Sequence, residues 1–271
     1  MPDAVIIADS INNATQDRIT TFLLPQFPKC LQAELRTHRS TSQSHYSSRA
    51  IPVKKTIEQV LNDPFIPQWT QFRPGMSGAD VLTEKEKKDL TEAWLLGRET
   101  VVQVAKTLSA LGAAKQEVNR VLEPYMKGSC VITATGDAWE SFFNLRTAEG
   151  VQPDFRTIAQ TMQRLYDSNQ PQLLHPGDWH IPWVDRYIGD DVDLRSQLKI
   201  SAARSARTSY MNHDGNFVME KDFSLHDRLL AERHMTPFEH QAMACITSEK
   251  YRNFTGWIHY RQCLEDQLAG F

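Results

Sequence analysis

A cluster of basic and hydroxyl side chains lies between residues 35 and 49, in the segment LRTHRSTSQSHYSSR. It contains the arginines Arg36, Arg39 and Arg49, together with His38 and several serines. A guanidinium group can bind two phosphate oxygens at once, and hydroxyl groups add neutral donors. The cluster therefore indicates either an anion-binding site or a polar loop that is exposed to solvent.

Two further arginines are expected near helix ends in the middle of the chain. Arg120 begins the segment RVLEP, where a single arginine could cap helix carbonyl groups or contact solvent. Arg146 follows the apolar run FFNL, so its guanidinium leaves a buried face and needs a partner there. That partner is either a ligand oxygen or an acid in a structural salt bridge.

A third group of candidates lies towards the C-terminal end, in the segments ARTSY and RHMTPFEH. His234 and Glu239 could act as a general acid–base pair or bind a metal ion. Pro237 breaks any helix between them, and their spacing is not the H-E-x-x-H pattern of a zinc site. We therefore expect no metal site here.

Composition argues against several other functions. The chain has 271 residues and a formal net charge of −3, which gives no basic surplus for coating a nucleic acid or binding a membrane surface. No apolar run approaches the length of a membrane span. The four cysteines are far apart and form no C-x-x-C pair, so we expect reduced thiols and a cytoplasmic location. We also expect no signal peptide, because the first residues lack a basic and an apolar region.

The elements that must hold these residues are strands and helices in mixed order. Thr83 and Glu86 form a capping box that begins a helix over 83–111, and Gly112 ends it. Further helices are predicted over 29–38, 57–63, 114–123, 136–145, 153–167, 197–211, 222–233 and 253–268. Strands are predicted over 18–28 and 238–247, and loops over 63–80 and 170–185, where prolines and glycines are frequent.

Taken together, the segments resemble the motifs of flavin-dependent thymidylate synthases. THRSTSQSHYSSR resembles the family signature RHR-x-x-S followed by S-x-R, and RVLEP resembles its Arg-x-x-Leu-Pro element. The segments NLR, ARTSY and HMTPFEH resemble three further elements of the same family. The resemblance covers most of the chain. It implies an α/β (α+β) fold, with an antiparallel-leaning sheet and flanking helices.

The order of the motifs differs from the usual order in that family, which places ARTSY and TPFEH before the RHR-type signature. Here both follow residue 200, so the sequence resembles a circularly permuted, phage- or bacterial-type variant. We predict one domain over 1–271, with nucleotide and flavin motifs in 1–170, a loop-rich connection over 171–198 and a permuted flavin-site segment over 199–271. The segment WIHYR near the end echoes RTHR, and could replace or supplement it.

The resemblance implies a chemistry in which NADPH reduces FAD and 5,10-methylenetetrahydrofolate supplies a one-carbon unit to C5 of dUMP. The implied catalytic residues are Arg146, which would polarise the base, and His234 near the flavin ring. The implied nucleotide-binding residues are Glu34, His45, Ser47, Ser48, Arg49, Arg120 and Arg146. The implied cofactor-binding residues are His38, Arg39, Asn144, Gln152, Ser209, Thr236 and Glu239. Sites of the family are built between subunits, so a homotetramer is implied, without membrane or nucleic-acid partners.

Several residues depart from the family pattern. Thr37 replaces the first arginine of RHR, Glu34 stands where glutamine is usual, and His45 stands where glutamate is usual. A carboxylate can accept a hydrogen bond from the amine of cytosine, so dCMP as substrate or a hydroxymethylated product is an alternative to methylation of dUMP. Thr37 and Asp137 also motivate a non-catalytic nucleotide- or RNA-binding relative without flavin. A last alternative is an unrelated α/β scaffold whose motifs match by accident.

Overall fold

A computed structural model describes residues 4–72, 82–184, 192–209 and 218–269. Helices and strands are mixed along the chain, which confirms the predicted class. The strands are Val5–Asn12 (β1), Arg18–Pro28 (β2), Ser42–His45 (β3), Lys127–Thr135 (β4), Gln172–Leu174 (β5), Trp179–His180 (β6), Ala242–Ala244 (β7), Lys250–Tyr251 (β8), Phe254–Thr255 (β9) and Trp257–His259 (β10). The α-helices are Gln32–Leu35 (α1), Val53–Asn62 (α2), Glu84–Ala110 (α3), Lys115–Arg120 (α4), Gly136–Arg146 (α5), Pro153–Ser168 (α6), Leu194–Ala206 (α7), Met219–Ala231 (α8) and Tyr260–Ala269 (α9).

The centre of the fold is a five-stranded sheet with the strand order β3-β4-β2-β1-β5. The pairs β1–β2, β2–β4 and β3–β4 are antiparallel, and β1–β5 is parallel, so the sheet is antiparallel-leaning as predicted. Smaller sheets of three strands, β10-β7-β6, and of two strands, β8-β9, lie in the second half of the chain.

The two faces of the central sheet are covered by different parts of the chain. On one face Phe22 and Ile132 pack against aromatic residues of α5 and α6, including Trp139, Phe142 and Phe155. On the other face Ile19 packs in a cluster with Leu174 and with residues of the small sheets: Ala242, Ala244, Phe254 and Trp257. Residues from the C-terminal third therefore complete the core that the first part of the chain begins.

The helices α2, α3 and α4 form a separate apolar cluster beside the sheet, which includes Val60, Val102, Val118 and Leu122. The predicted capping box of α3 is present, since the Thr83 hydroxyl accepts from the Glu86 amide and the Glu86 carboxylate accepts from the Thr83 amide. Gly112 follows the helix with φ +85°, a conformation that favours glycine. No helix in the described ranges, α3 included, has an apolar stretch that would reach across a bilayer.

Four of the five strands of the central sheet, β1, β3, β4 and β5, were not predicted, and the reasons differ between them. β4 is buried on both faces along nearly its whole length and β1 is buried on both faces in its middle, so they lack the alternation of apolar and polar residues that indicates a strand. β3 has the sequence SQSH, which contains no apolar residue at all. Its place in the sheet comes from pairing with β4.

Several predicted boundaries were wrong because turns divide the predicted elements. Only Lys29–Leu31, a 3-10 turn, and the short α1 form in the predicted helix 29–38. The predicted strand 238–247 shrinks to β7, since a 3-10 turn occupies Thr236–Glu239. The predicted helix 253–268 begins only at Tyr260, after β9 and β10, and the predicted loop 170–185 contains β5 and β6. Residues 210 and 211 of one predicted helix and residues 73–80 of one predicted loop lie outside the described residues.

Candidate functional site

A cavity of about 780 Å³ lies where the segment 36–49 faces the segment 233–239. We name it the central cavity. Its lining consists of Arg36, His38, Arg39, Thr41, Gln43, Ser44, His45, Arg49, Ala206, Thr208, Leu229, Arg233, His234, Met235, Thr236, Pro237 and Glu239. The fold therefore brings the first and the last of the sequence motifs together within one chain.

Seven of the residues predicted for the site line the central cavity: His38, Arg39, His45, Arg49, His234, Thr236 and Glu239.

A buried histidine joins the two motif segments through its hydrogen bonds. His240, at the end of HMTPFEH, is within 2.8 Å of the Ser44 hydroxyl through Nε2 and within 2.9 Å of the Thr133 hydroxyl through Nδ1. The TPFEH turn is thus held against β3 and β4.

The wall of the central cavity is strongly positive. Among the described residues, the guanidinium groups of Arg36, Arg39, Arg49 and Arg233 form no ion pair and no side-chain hydrogen bond. The one acid in the lining, Glu239, already accepts from Arg261 at 2.6 Å. An anionic ligand would therefore meet several cations that no protein acid neutralises.

Two of the three lining histidines, His38 and His45, are neutral at physiological pH. Burial, helped by the charge of Arg146, lowers the pKa of His38 to about 4. Burial, helped by the charges of Arg36 and Lys29, lowers the pKa of His45 to about 3. Neither imidazole competes with the arginines as a cation, and each can accept a hydrogen bond at one ring nitrogen.

Arg146 lies behind the wall of the cavity rather than in it. Its guanidinium donates to His38 Nε2 at 2.8 Å, to Glu34 Oε2 at 3.1 Å, to the Glu34 carbonyl at 3.2 Å and to the Thr37 hydroxyl at 3.3 Å. It also stacks over the ring of Phe155, with 4.5 Å from Cζ to the ring centroid. The sequence left a ligand oxygen and a salt-bridge acid open as its partner, and the structure gives it the acid, Glu34.

The other predicted residues lie at several different places in the fold. Ser47 and Ser48 form the turn that carries Arg49, and Arg120 is exposed at the end of α4 next to that turn. Asn144 is exposed on α5, and Gln152 occupies the N-cap position of α6 without a capping hydrogen bond from its side chain. The side chain of Ser209 lies outside the described residues. None of the described members of this group is part of the cavity lining.

Asn119 holds the turn that carries Arg49, and no sequence motif had indicated this residue. Its buried amide donates to the carbonyls of Ser48 at 2.7 Å and Ile51 at 2.9 Å. The only signal in the sequence is its position next to Arg120. Through this contact the end of α4 is fixed beside the arginine-bearing turn.

Replacing Asn119 with alanine is expected to lower the free energy of unfolding by about 2 kcal/mol, because two carbonyl groups lose their donor. Urea unfolding followed by tryptophan fluorescence measures this loss. The same substitution at Asn62, which is exposed at the end of α2, is the matched control and should change the value by less than about 0.5 kcal/mol. Equal losses in the two variants would contradict the assignment.

The C-terminal segment WIHYR contributes in a different way from RTHR. Its Arg261 pairs with Glu239 and also with Glu265 at 2.7 Å, and it is not part of the cavity lining. His38 and Arg39 of the N-terminal segment do line the cavity. Within the described residues, WIHYR therefore contributes an ion-pair partner for Glu239, whereas RTHR contributes residues of the cavity lining.

A second cavity of about 890 Å³ adjoins the central one between the Arg49 turn and α8. The two share Ala206, Leu229 and His234 in their linings. The second cavity adds Arg207, which pairs with the fully buried Asp222. The two cavities are therefore neighbours, and His234 lines both of them.

Comparison with known proteins identifies relatives of the chain. A family model described as "Thymidylate synthase complementing protein" matches residues 17–172, more than half of the chain. The matched range includes the motifs around residues 36–49, 120 and 146, while ARTSY and HMTPFEH follow it. A search of curated proteins found no match.

Among solved structures, the chain is similar to a UMP/dUMP methylase, PolB from Streptomyces cacaoi. With the structure bound with 5-Br UMP, the identity is 18%, the TM-score 0.44, and the match covers 55% of this chain and 69% of that chain. With the structure bound with 5-Br dUMP, the identity is 18%, the TM-score 0.46, and the match covers 55% of this chain and 66% of that chain. The chain thus spans about two thirds of the length of PolB.

Proposed function

The chain belongs to the thymidylate synthase complementing protein family, and from this we propose that it transfers a one-carbon unit to C5 of dUMP. In this proposal FAD and NADPH supply the reducing equivalents and 5,10-methylenetetrahydrofolate supplies the carbon. The reaction, the substrate and the cofactors are those implied by the sequence motifs.

The observation that carries the proposal is the positive central cavity. The motif residues Arg39 and Arg49, together with Arg36 and Arg233, surround it without acidic partners among the described residues. A nucleotide monophosphate carries a compact double charge that such a wall would bind. We assign the phosphate of dUMP to Arg49, which is exposed and carried on the turn that Asn119 fixes.

The residues that line the two cavities also fit a flavin dinucleotide. Its phosphates need cations, which Arg36 and Arg39 offer, and its ring needs apolar contacts, which Leu229, Met235 and Pro237 offer. When bound, flavin supplies the redox chemistry that amino-acid side chains lack. His38, Thr236 and Glu239 would contact it, and His234 would lie where both cavities meet.

We assign Arg146 a positioning role within this site. Its guanidinium holds the turn of Glu34 and Thr37 and donates to the ring of His38, which lines the cavity. Because Arg146 donates to Nε2 of His38, this nitrogen already has a hydrogen-bond partner, and the His38 ring is held in its neutral form. Polarisation of the pyrimidine then falls to the arginines that do line the cavity.

The contacts of Glu34 remove the argument for a cytosine substrate. The proposal of a cytosine substrate depended on a free carboxylate at this position. In the structure Glu34 accepts from Arg146, and it is not part of the cavity lining. A carboxylate engaged in this way does not select the amine of cytosine.

An anaerobic assay with dUMP and dCMP in parallel, supplied with NADPH and methylenetetrahydrofolate, tests the proposal. We expect purified protein to carry flavin absorbance and to convert dUMP to dTMP, identified by product mass. Conversion of dCMP alone, or a product heavier by a hydroxymethyl group, would replace this function with the modified-base alternative. Absence of both flavin and turnover would favour a non-catalytic nucleotide- or RNA-binding relative.

We further propose that the protein assembles as a homotetramer, since sites of the family are built between subunits. Size-exclusion chromatography with light scattering measures this directly. A monomer that still turns over dUMP would overturn this assembly without affecting the proposed reaction.

A further inference from the structure

Six buried side chains form one continuous chain of hydrogen bonds beneath the central cavity. Four are hydroxyls from neighbouring strands of the central sheet, and two are imidazoles that bridge them. In order they are Ser10, His180, Thr21, Thr133, His240 and Ser44, joined by five hydrogen bonds of 2.7 to 2.9 Å. We name this set the relay.

Only one end of the relay reaches the cavity. Ser44 is 7% exposed and is part of the cavity lining. Ser10, at the other end, is 2% exposed, and Thr21 and Thr133 are completely buried. Among the described residues these three hydroxyls have no hydrogen-bond acceptor for their side chains outside the relay.

Both imidazoles of the relay are neutral. Burial lowers the pKa of His180 to about 4 and that of His240 to about 3. A neutral imidazole has one N–H donor and one acceptor nitrogen. Each ring therefore accepts a hydrogen bond from one neighbour in the relay and donates one to the other.

A count of protons determines the direction of the relay. Each of the four hydroxyls has one O–H proton and each of the two neutral rings has one N–H proton. The relay therefore has six protons to donate, but it contains only five hydrogen bonds. One hydroxyl proton must therefore point out of the relay. At Ser10, Thr21 or Thr133 it would be a buried donor without an acceptor, which costs free energy comparable to a lost hydrogen bond. At Ser44 it points towards the cavity, where a ligand or water can accept it.

We propose that Ser44 is a ligand-binding residue whose hydroxyl is held as a donor towards the central cavity by the relay. Its oxygen accepts from His240 Nε2–H, so its own proton is left for an acceptor oxygen of the ligand. The inference rests on the proposed nucleotide site, where that oxygen belongs either to the phosphate or to a carbonyl of the base. The sequence placed Ser44 in the hydroxyl-rich segment 35–49, but no motif assigned it a contact of its own.

The direction of the relay also determines the tautomers of both rings. Donation from Ser10 towards Ser44 requires that His180 and His240 both carry their proton on Nε2. Donation in the opposite direction requires Nδ1–H on both. The tautomers can be measured on wild-type protein without any ligand.

The first experiment measures the Kd of dUMP and of 2′-deoxyuridine for wild type, Ser44→Ala and Ser129→Ala. Ser129 is the matched control, since it lies on β4, is 8% exposed, donates to the Pro25 carbonyl and is not part of the cavity lining. We expect Ser44→Ala to bind dUMP about tenfold more weakly than Ser129→Ala does. A tenfold loss for dUMP alone assigns the phosphate as acceptor, and an equal loss for 2′-deoxyuridine assigns the base carbonyl. Equal affinities of the two variants for both ligands would overturn the proposal.

The second experiment records long-range ¹H–¹⁵N correlation spectra of protein labelled at histidine nitrogens. We expect His180 and His240 in the Nε2–H form, and an Nδ1–H form of His240 would overturn the proposal whatever the binding data. If wild-type protein binds no dUMP, the proposed function fails. The tautomers and the binding of inorganic phosphate to the same variants then still decide the role of Ser44.

Discussion

Replacing Arg49 with alanine is expected to lower kcat/KM for dUMP about 100-fold, because a charge-assisted hydrogen bond to phosphate is lost. Arg49 is exposed, lines the central cavity and has no ion pair or side-chain hydrogen bond among the described residues. Its loss should therefore leave the free energy of unfolding unchanged. Arg49→Lys keeps the positive charge but cannot donate to two phosphate oxygens as a guanidinium does, and it should lower kcat/KM by about tenfold.

Steady-state kinetics of the three proteins measure this effect, and urea unfolding excludes misfolding. The matched control is Arg164→Ala, which removes an exposed guanidinium from α6, on a helix that packs against the opposite face of the sheet. A decrease in Arg164→Ala as large as that in Arg49→Ala would indicate a general effect of net charge. Unchanged kinetics in Arg49→Ala would remove the residue from the phosphate site.

Acidification is expected to destabilise the protein steeply between pH 6.5 and about pH 4. His180 and His240 are buried and neutral in the folded state, with pKa values lowered to about 4 and about 3, whereas unfolding restores ordinary values near 6.5. Below pH 6.5 the unfolded chain therefore binds more protons than the folded protein does, so stability falls as the pH falls. For two such groups the loss from pH 7 to pH 5 is on the order of 4 kcal/mol. That is a large part of the 5–15 kcal/mol that stabilises a typical domain.

Urea unfolding at pH 7, 6 and 5 measures the pH dependence of stability. His180→Gln should be less stable than wild type at pH 7, but its free energy of unfolding should fall less steeply with pH, by up to about 1.4 kcal/mol per pH unit. The same substitution at the exposed His175 serves as the control. A free energy of unfolding that is equal at pH 5 and pH 7 in wild type would show that the buried histidines do not resist protonation.

The helices were the part of the fold that the sequence predicted best. The capping box of Thr83 and Glu86 and the glycine after the helix are local signals, because each acts within one or two turns of the backbone. The central sheet was predicted poorly, and only β2 was located. A strand buried on both faces has no periodic pattern, and β3 has no apolar residue because its side chains serve the cavity and the relay.

For the site, the sequence by itself determined which residue types are present and to which family the chain is similar. Arginines, hydroxyls and the TPFEH element are identifiable as short motifs, and the family model confirms the relationship. Tertiary structure alone decided which of these residues meet. Ser44 and His240 are 196 positions apart, and Arg146 is 112 positions from Glu34, so no local rule pairs them. Their hydrogen bonds form only because the C-terminal third packs on one face of the sheet and α5 on the other, and a buried polar group must find a partner wherever packing places it.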